Sequence, residues 1–505
     1  MLAKLHILHY FLIDIGGTLS QKIARGSAWA FASYGLEQGL FIIRSIILAR
    51  LLTPADFGLM AIASLSIAFF DVLTKTGIWS AILQRLKVNQ PVLDTAWLIL
   101  VARGFILGLA IFLSAPWVAL IFKAPPLGPM LRIMALSSAL GGLNSLGLVL
   151  LQKELDFRTL AVVSLIAGSV NLMFACVAAF LLRSVWALVI GMLAGSGAAL
   201  VLSYLAHPFR PQLRFDRQHA RELLSFGKFL TASRIALYVL TQGDDAYVGK
   251  VLGTEPLGFY RLAFRISSLP DTSVAQVICR VMLPAYSALQ DDLDQLRRTY
   301  LRTLKLTALV AAPMAAGFFG LAPTIIAVLY GEQWMPAVPA LQVLCLYGLE
   351  RAIGALGGSV ILALGRPDIG LRVIVVKLIV MVLCLVPLTA RYGIVGTSAA
   401  MTLSAIVVQG VVIVVTADLL CVPWSTVVQP LLKPLAGSLL MLGVLYAVQR
   451  AALCPQRFWA LGVLTALGIA TYGGFVTAFE KRMLQDLRNK LRSWVAFVKV
   501  PEPVE

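Results

Sequence analysis

Residues Leu160–Leu182 read LAVVSLIAGSVNLMFACVAAFLL, twenty-three positions without a charged side chain. Aliphatic and aromatic residues fall on every side of a helix built from this run, not on a single stripe. A helix needs about 20 such residues to cross a hydrocarbon layer roughly 30 Å thick. Lipid offers no partners to backbone N–H and C=O groups, so only helices or a closed barrel can span it. Barrel strands alternate apolar and polar residues over about 10 positions, and this run does not alternate. It reads as a transmembrane helix.

Comparable runs follow almost back to back from Gly26 to Ala478. The 505-residue chain is 59% hydrophobic and only 13% charged, about half the charged fraction of a soluble protein. Read against turn and charge signals, the hydrophobic runs predict about fourteen spans. They lie near 28–52, 57–83, 94–121, 129–151, 159–182, 185–206, 223–252, 257–284, 302–329, 337–363, 370–390, 394–417, 428–449 and 457–478. Thr53-Pro54, Lys123-Ala-Pro-Pro126 and Arg366-Pro367 mark breaks between them. The longest connections, Ala206–Glu222 and Ser287–Arg302, are too short to be domains.

The formal net charge is +18. In a soluble chain that would point to nucleic acid. Here the basic residues crowd short loops and the C-terminal tail, the pattern of cytoplasmic membrane loops, so no nucleic-acid partner is expected. With the N-terminus inside, cytoplasmic segments hold twenty-four Lys and Arg and outer loops hold seven. Both termini are therefore expected in the cytoplasm, with the chain crossing a bacterial inner membrane many times. The cysteines (Cys176, Cys279, Cys345, Cys384, Cys421, Cys454) are scattered without paired spacing, which argues against a disulfide framework or a zinc site. No metal and no cofactor is expected.

The chain also repeats itself. Ala49-Arg-Leu-Leu-Thr-Pro-Ala-Asp-Phe-Gly58 lines up, two hundred residues on, with Gly249-Lys-Val-Leu-Gly-Thr-Glu-Pro-Leu-Gly258. Lys153-Glu-Leu-Asp-Phe157 similarly matches Gly365-Arg-Pro-Asp-Ile369. Six spans separate the copies, so both halves keep one orientation; parallel repeats of this kind form two bundles with a substrate site between them. The predicted organisation is a cytoplasmic tail (1–27), a first six-helix lobe (28–206), a linker (207–222), a second lobe (223–417), two further helices (418–478) and a basic tail (479–505). That tail mixes cationic and apolar residues as a helix on an anionic inner leaflet does.

Arg44-Ser-Ile-Ile-Leu-Ala-Arg-Leu-Leu-Thr-Pro-Ala-Asp-Phe-Gly-Leu59 resembles the first-hairpin signature of Wzx-type polysaccharide and O-antigen flippases. Thr76-Gly-Ile-Trp-Ser-Ala-Ile-Leu-Gln-Arg85 is similar to the branch that includes colanic-acid-type exporters. Asp244-Asp-Ala-Tyr-Val-Gly-Lys-Val-Leu-Gly253 and Leu257-Gly-Phe-Tyr-Arg-Leu-Ala263 resemble the same family's central signature. The resemblance implies an all-α integral membrane protein of the multidrug/oligosaccharidyl-lipid/polysaccharide exporter fold. It implies two pseudo-symmetric six-helix lobes plus two C-terminal helices, whose corresponding helices line a central cavity. It also implies a transporter for lipopolysaccharide or exopolysaccharide export, working among membrane lipids beside a polysaccharide polymerase and export machinery.

Charged residues inside spans normally face water or a partner, because each costs at least a few kcal/mol at mid-bilayer. Eleven basic residues lie within or at the edges of spans, against fewer acidic ones, which suits an anionic passenger. The candidate substrate-binding residues are Arg44, Lys75, Arg234, Arg261, Arg265 and Arg280. Arg261 and Arg265 are four apart and share a helical face, and guanidinium groups match a diphosphate or a sugar carboxylate. The candidate counter-charge or ion-coupling residues are Glu37, Asp71, Asp244, Asp245 and Asp271, with a proton or sodium as the coupling ion. Asp71 and Lys75, four apart, fit a structural ion pair equally well, and Arg280, Lys228 and Asp94 fit snorkelling to an interface.

The passenger that fits is a polyprenyl-diphosphate-linked oligosaccharide, moved by alternating access. A lipid II flippase shares the fold and the charge logic, and a multidrug exporter would favour an acidic cavity. A membrane glycan polymerase or ligase would display large outer loops carrying acids or bases. Here those loops are short, and His6, His9, His207 and His219 all fall on the cytoplasmic side. Gly195-Ser-Gly197 lies inside a span and lacks the Lys-Ser/Thr of a phosphate loop. No catalytic residue is expected, and the chain reads as a carrier and not an enzyme.

Overall fold

The computed structural model describes residues 17–74, 77–85, 89–225, 231–451 and 458–480, all helix, turn and connection with no strand among them. The chain divides into two compact units, with the division between Glu255 and Pro256. The expected tails fall mostly on residues 1–16 and 481–505, outside the described residues.

The first unit holds α1 (Gly17–Leu51), α2 (Pro54–Thr74), α3 (Ile78–Gln84), α4 (Gln90–Ile121), α5 (Leu127–Gly142), α6 (Gly147–Lys153), α7 (Phe157–Leu182), α8 (Trp186–Leu205), α9 (Arg217–Ser225) and α10 (Thr231–Val251). Helices α7 and α8 pack closely together, as do α4 and α5. Apolar burial gains little between helices in lipid, so close packing through small residues takes its place. A methyl group on Gly104 of α4 would lie 2.8 Å from the α-carbon of Gly142 of α5. The outer faces stay apolar: Phe180 is 70% exposed and Leu181 74%, a surface suited to lipid and not to water.

The second unit runs through α11 (Thr254–Ser267), a π-helical turn (Asp271–Ala275), α12 (Gln276–Ala288), α13 (Leu293–Ile325), α14 (Val338–Ala363), α15 (Pro367–Leu419), α16 (Trp424–Arg450) and α17 (Phe458–Phe479). Its core gathers Tyr286 of α12, Tyr300 of α13, Leu356 and Val360 of α14, and Leu420 just after α15.

Among the described residues nine helices are long and apolar enough to cross a membrane, or ten if α5 and α6, bent by 54°, form one span. The sequence reading of about fourteen differs for local reasons. Helices α1 and α10 carry charges along their length, Arg44 and Glu37 in one and Asp244, Asp245 and Lys250 in the other. The run at 257–284 is split by the π turn. The runs at 370–390 and 394–417 are two helical segments within α15, meeting at a kink where Gly393 is non-helical with φ 59 and ψ −138.

The repeat has a structural counterpart. α1 ends at Leu51 and α2 opens at Pro54; α10 ends at Val251 and α11 opens at Thr254. The expected linker is strapped to α4. The Gln212 amide donates to Asp94 Oδ1 at 3.0 Å, the Asp216 amide to Thr95 Oγ1 at 3.2 Å, and Phe209 is buried. Asp94, fully buried, therefore anchors this segment and does not snorkel.

Candidate substrate and ion site

Each unit holds its own polar groups within apolar helices. In the first unit, Arg44 leaves α1 toward α7, donating through Nη1 to Asn171 Oδ1 at 2.6 Å, with its guanidinium 5.2 Å from the Phe41 ring centre. Glu37 sits half-buried two turns earlier on α1. Asp71 meets Arg103 of α4 in an ion pair, and Arg103 also donates through Nε to the Thr74 carbonyl at 2.9 Å. The Asp71 carboxylate is thus held by a residue of another helix. Lys75, expected as its neighbour, lies outside the described residues.

Asp244 and Asp245 are 1% and 6% exposed on α10. The same helix is tied to α2, where Tyr238 donates its hydroxyl to the Leu65 carbonyl at 2.8 Å. Arg234 lies in the first turn of α10; its side chain and residue Lys228 lie outside the described residues.

In the second unit, Arg261 and Arg265 stand one turn apart on α11, the first half-buried and the second exposed. Arg280 is exposed on α12. Asp271, 2% exposed at the π turn, accepts from Arg351 Nη2 at 2.8 Å and from Gln276 Nε2 at 3.3 Å. The Arg351 guanidinium lies 5.7 Å from the Tyr347 ring centre, and Lys377 Nζ of α15 lies 5.3 Å from the same ring. Glu350, beside Arg351, completes the group. Among the described residues no three His, Cys, Asp or Glu side chains converge on a metal position.

The structure therefore joins Arg44 to Asn171, Asp71 to Arg103, and Asp271 to Arg351, and keeps Arg261 and Arg265 together. Asn171, Arg103, Glu350, Arg351 and Lys377 were not among the expected site residues. A charge within a span is itself the signal for the last four; Asn171 carries no such signal. Chemically, the guanidinium groups offer paired donors to phosphate oxygens, and the carboxylates offer places for a cation.

A family described as polysaccharide biosynthesis protein matches residues 47–339. The chain is 27% identical over 362 residues to the lipopolysaccharide biosynthesis protein WzxC of Escherichia coli (strain K12), covering 71% of this chain and 74% of that one. It is 27% identical over 328 residues to the succinoglycan biosynthesis transport protein ExoT of Rhizobium meliloti (strain 1021), covering 65% and 66%. Among solved structures, the lipid II flippase MurJ in an inward closed conformation superposes with a TM-score of 0.73 at 16% identity, covering 91% of this chain and 99% of that one. That last likeness is one of fold.

Proposed function

The chain belongs to the polysaccharide biosynthesis protein family, and on that premise we propose that it flips a polyprenyl-diphosphate-linked oligosaccharide across the bacterial inner membrane. It is a multi-pass membrane transporter and not an enzyme. Its curated relatives are named for polysaccharide biosynthesis and transport, which supports a lipid-linked sugar as passenger. In this reading both termini lie in the cytoplasm, and a polymerase and export machinery receive the product on the opposite side of the membrane.

The observation that carries the reading is the pair Arg261 and Arg265, one turn apart on α11. Two guanidinium groups on one face match the paired oxygens of a diphosphate. Arg44, Arg234, Arg280 and Lys75 are the other candidate contacts, and Glu37, Asp71, Asp244, Asp245 and Asp271 are the candidate counter-charge or ion-coupling residues. Alternating access, reset by a proton or sodium gradient, moves the head group while the polyprenyl tail stays in lipid.

Reconstitution into proteoliposomes with a fluorescent lipid-linked oligosaccharide tests this directly. A charge-assisted hydrogen bond contributes about 1.5–3 kcal/mol, so Arg261→Ala and Arg265→Ala should each slow flipping by about tenfold or more. Unchanged rates in both variants would remove the site assignment. A chain that moves lipid II or cationic drugs and ignores the oligosaccharide would overturn the passenger.

A further inference from the structure

We infer that Glu350 is a proton-binding site within the second unit and that its proton is the coupling ion of transport; the coupling half rests on the transport reading above. Glu350 sits in the middle of α14. Its Oε2 atom is closed off from solvent and has no hydrogen-bond partner, and the same holds for Oε1 of Gln409, from the second half of α15. The two side chains crowd one space. A methyl group on Gly354 would stand 3.2 Å from Glu350 Oε1 and 2.7 Å from Gln409 Oε1.

An ionised carboxylate only accepts hydrogen bonds, and so does an amide oxygen. Acceptors closed off together without a donor are costly in a helix bundle surrounded by lipid, and a bare charge there is costlier. The neutral acid supplies the missing O–H. In this arrangement Oε2 of Glu350 meets no donor, and Gln409 turns its amide oxygen into the same space.

The ionisable groups around it come from every packed element. Arg351 and Tyr347 share α14, Lys377 projects from α15 and Asp271 from the π turn. Cys279 of α12 lies near Asp271, and Tyr300 of α13 reaches toward Gly357, two turns along α14. Arg351 is bonded to Asp271 at 2.8 Å, and Lys377 Nζ lies over the Tyr347 ring.

With Glu350 ionised, Asp271 and Glu350 balance Arg351 and Lys377. With Glu350 protonated, the group carries one net positive charge. One O–H bond forms with a proton from solvent and breaks to return it, with no other bond changed. That full unit of charge is the differential interaction an ion-coupled step requires.

The test uses the full chain in lipid nanodiscs and infrared difference spectroscopy across a pH titration. A protonated-carboxyl band that disappears as pH rises, and is absent from Glu350→Gln, is expected. A band that survives the substitution, or none in the unsubstituted protein, overturns the site. Should Glu350→Gln fail to fold, Gln409→Leu serves instead, since removing the amide should shift the band's frequency; an unmoved band overturns the pairing. In proteoliposomes, a proton gradient should accelerate oligosaccharide flipping by about tenfold, and Glu350→Gln should abolish that acceleration. Gradient-independent flipping with the band present overturns coupling alone. A band without any flipping overturns the transport reading and leaves the proton site standing.

Discussion

A methyl group on Gly348 would stand 1.8 Å from the carbonyl oxygen of Ser267. Helix α14 thus lies backbone to backbone against the end of α11, the helix that carries Arg261 and Arg265, and a carbonyl cannot turn aside as a flexible side chain can. Gly358, ten residues along the same helix, has nothing within 4 Å of an added methyl. Gly348→Ala should therefore destabilise the protein by about 1–3 kcal/mol through overpacking. Gly358→Ala should stabilise it by about 0.4–1 kcal/mol by restricting the unfolded chain. Thermal unfolding in detergent compares the two, and equal shifts would refute the contact.

The Asp71–Arg103 pair joins α2 to α4 with side chains 39% and 21% exposed. Removing the carboxylate strands a guanidinium among apolar helices, and partial exposure moderates the loss to about 1–3 kcal/mol. Asp71→Ala should be the damaging change, and Asp71→Ala combined with Arg103→Met should recover part of the stability because no charge is left unmatched. Denaturation midpoints of the two single variants and the double variant measure the coupling. Additive losses would mean that the two side chains do not depend on each other.

What the sequence disclosed follows from the range of the forces involved. The run at 160–182 emerges as α7, Phe157–Leu182, because lipid selects composition over about 20 consecutive residues. Breaks at Thr53-Pro54 and Arg366-Pro367 were equally legible, since proline removes a donor locally. Pairings between distant elements were not. Asp271 and Arg351 are eighty positions apart, and nothing in the text around either one names the other. The Gly348–Ser267 approach was hidden for a similar reason, because glycines abound in these spans and only the folded backbone distinguishes Gly348 from Gly358. The kink at Gly393 appeared in the sequence only as a short gap between two apolar runs.

Asp156 precedes α7, accepting from the Thr159 amide at 3.0 Å and the Thr159 hydroxyl at 2.6 Å. Those bonds, led by the hydroxyl, hold its carboxyl below the usual carboxylate range. A group whose folded value is depressed stabilises the fold fully above its unfolded value, about 3.9, and stops doing so as pH falls through the folded value. At neutral pH Asp156→Ala should cost about 1 kcal/mol. In acid the gap between the two proteins should close, while Asp156→Asn, which keeps an acceptor, should show little pH dependence. Melting temperatures recorded from neutral to acid pH check this, and a constant gap would contradict it.

Glu480, the first residue after α17, is 8% exposed and lies 2.7 Å from Lys305 Nζ of α13 and 3.5 Å from Lys433 Nζ of α16. Burial pushes its carboxyl up, and the two ammonium groups outweigh that and hold it low. The two lysines are not equivalent. Lys305 is 26% exposed and makes the short bond, whereas Lys433 is 58% exposed and open to solvent screening. Lys305→Ala should cost about 1.5–3 kcal/mol, and Lys433→Ala about 0–1 kcal/mol. The loss should appear first at the end of α17, because Glu480 ties that end to its neighbours. Hydrogen exchange along α17 reads the difference: faster exchange in its last turns for Lys305→Ala with near-normal rates for Lys433→Ala is expected, and equal loosening by both would mean that burial does not set the strength of these pairs.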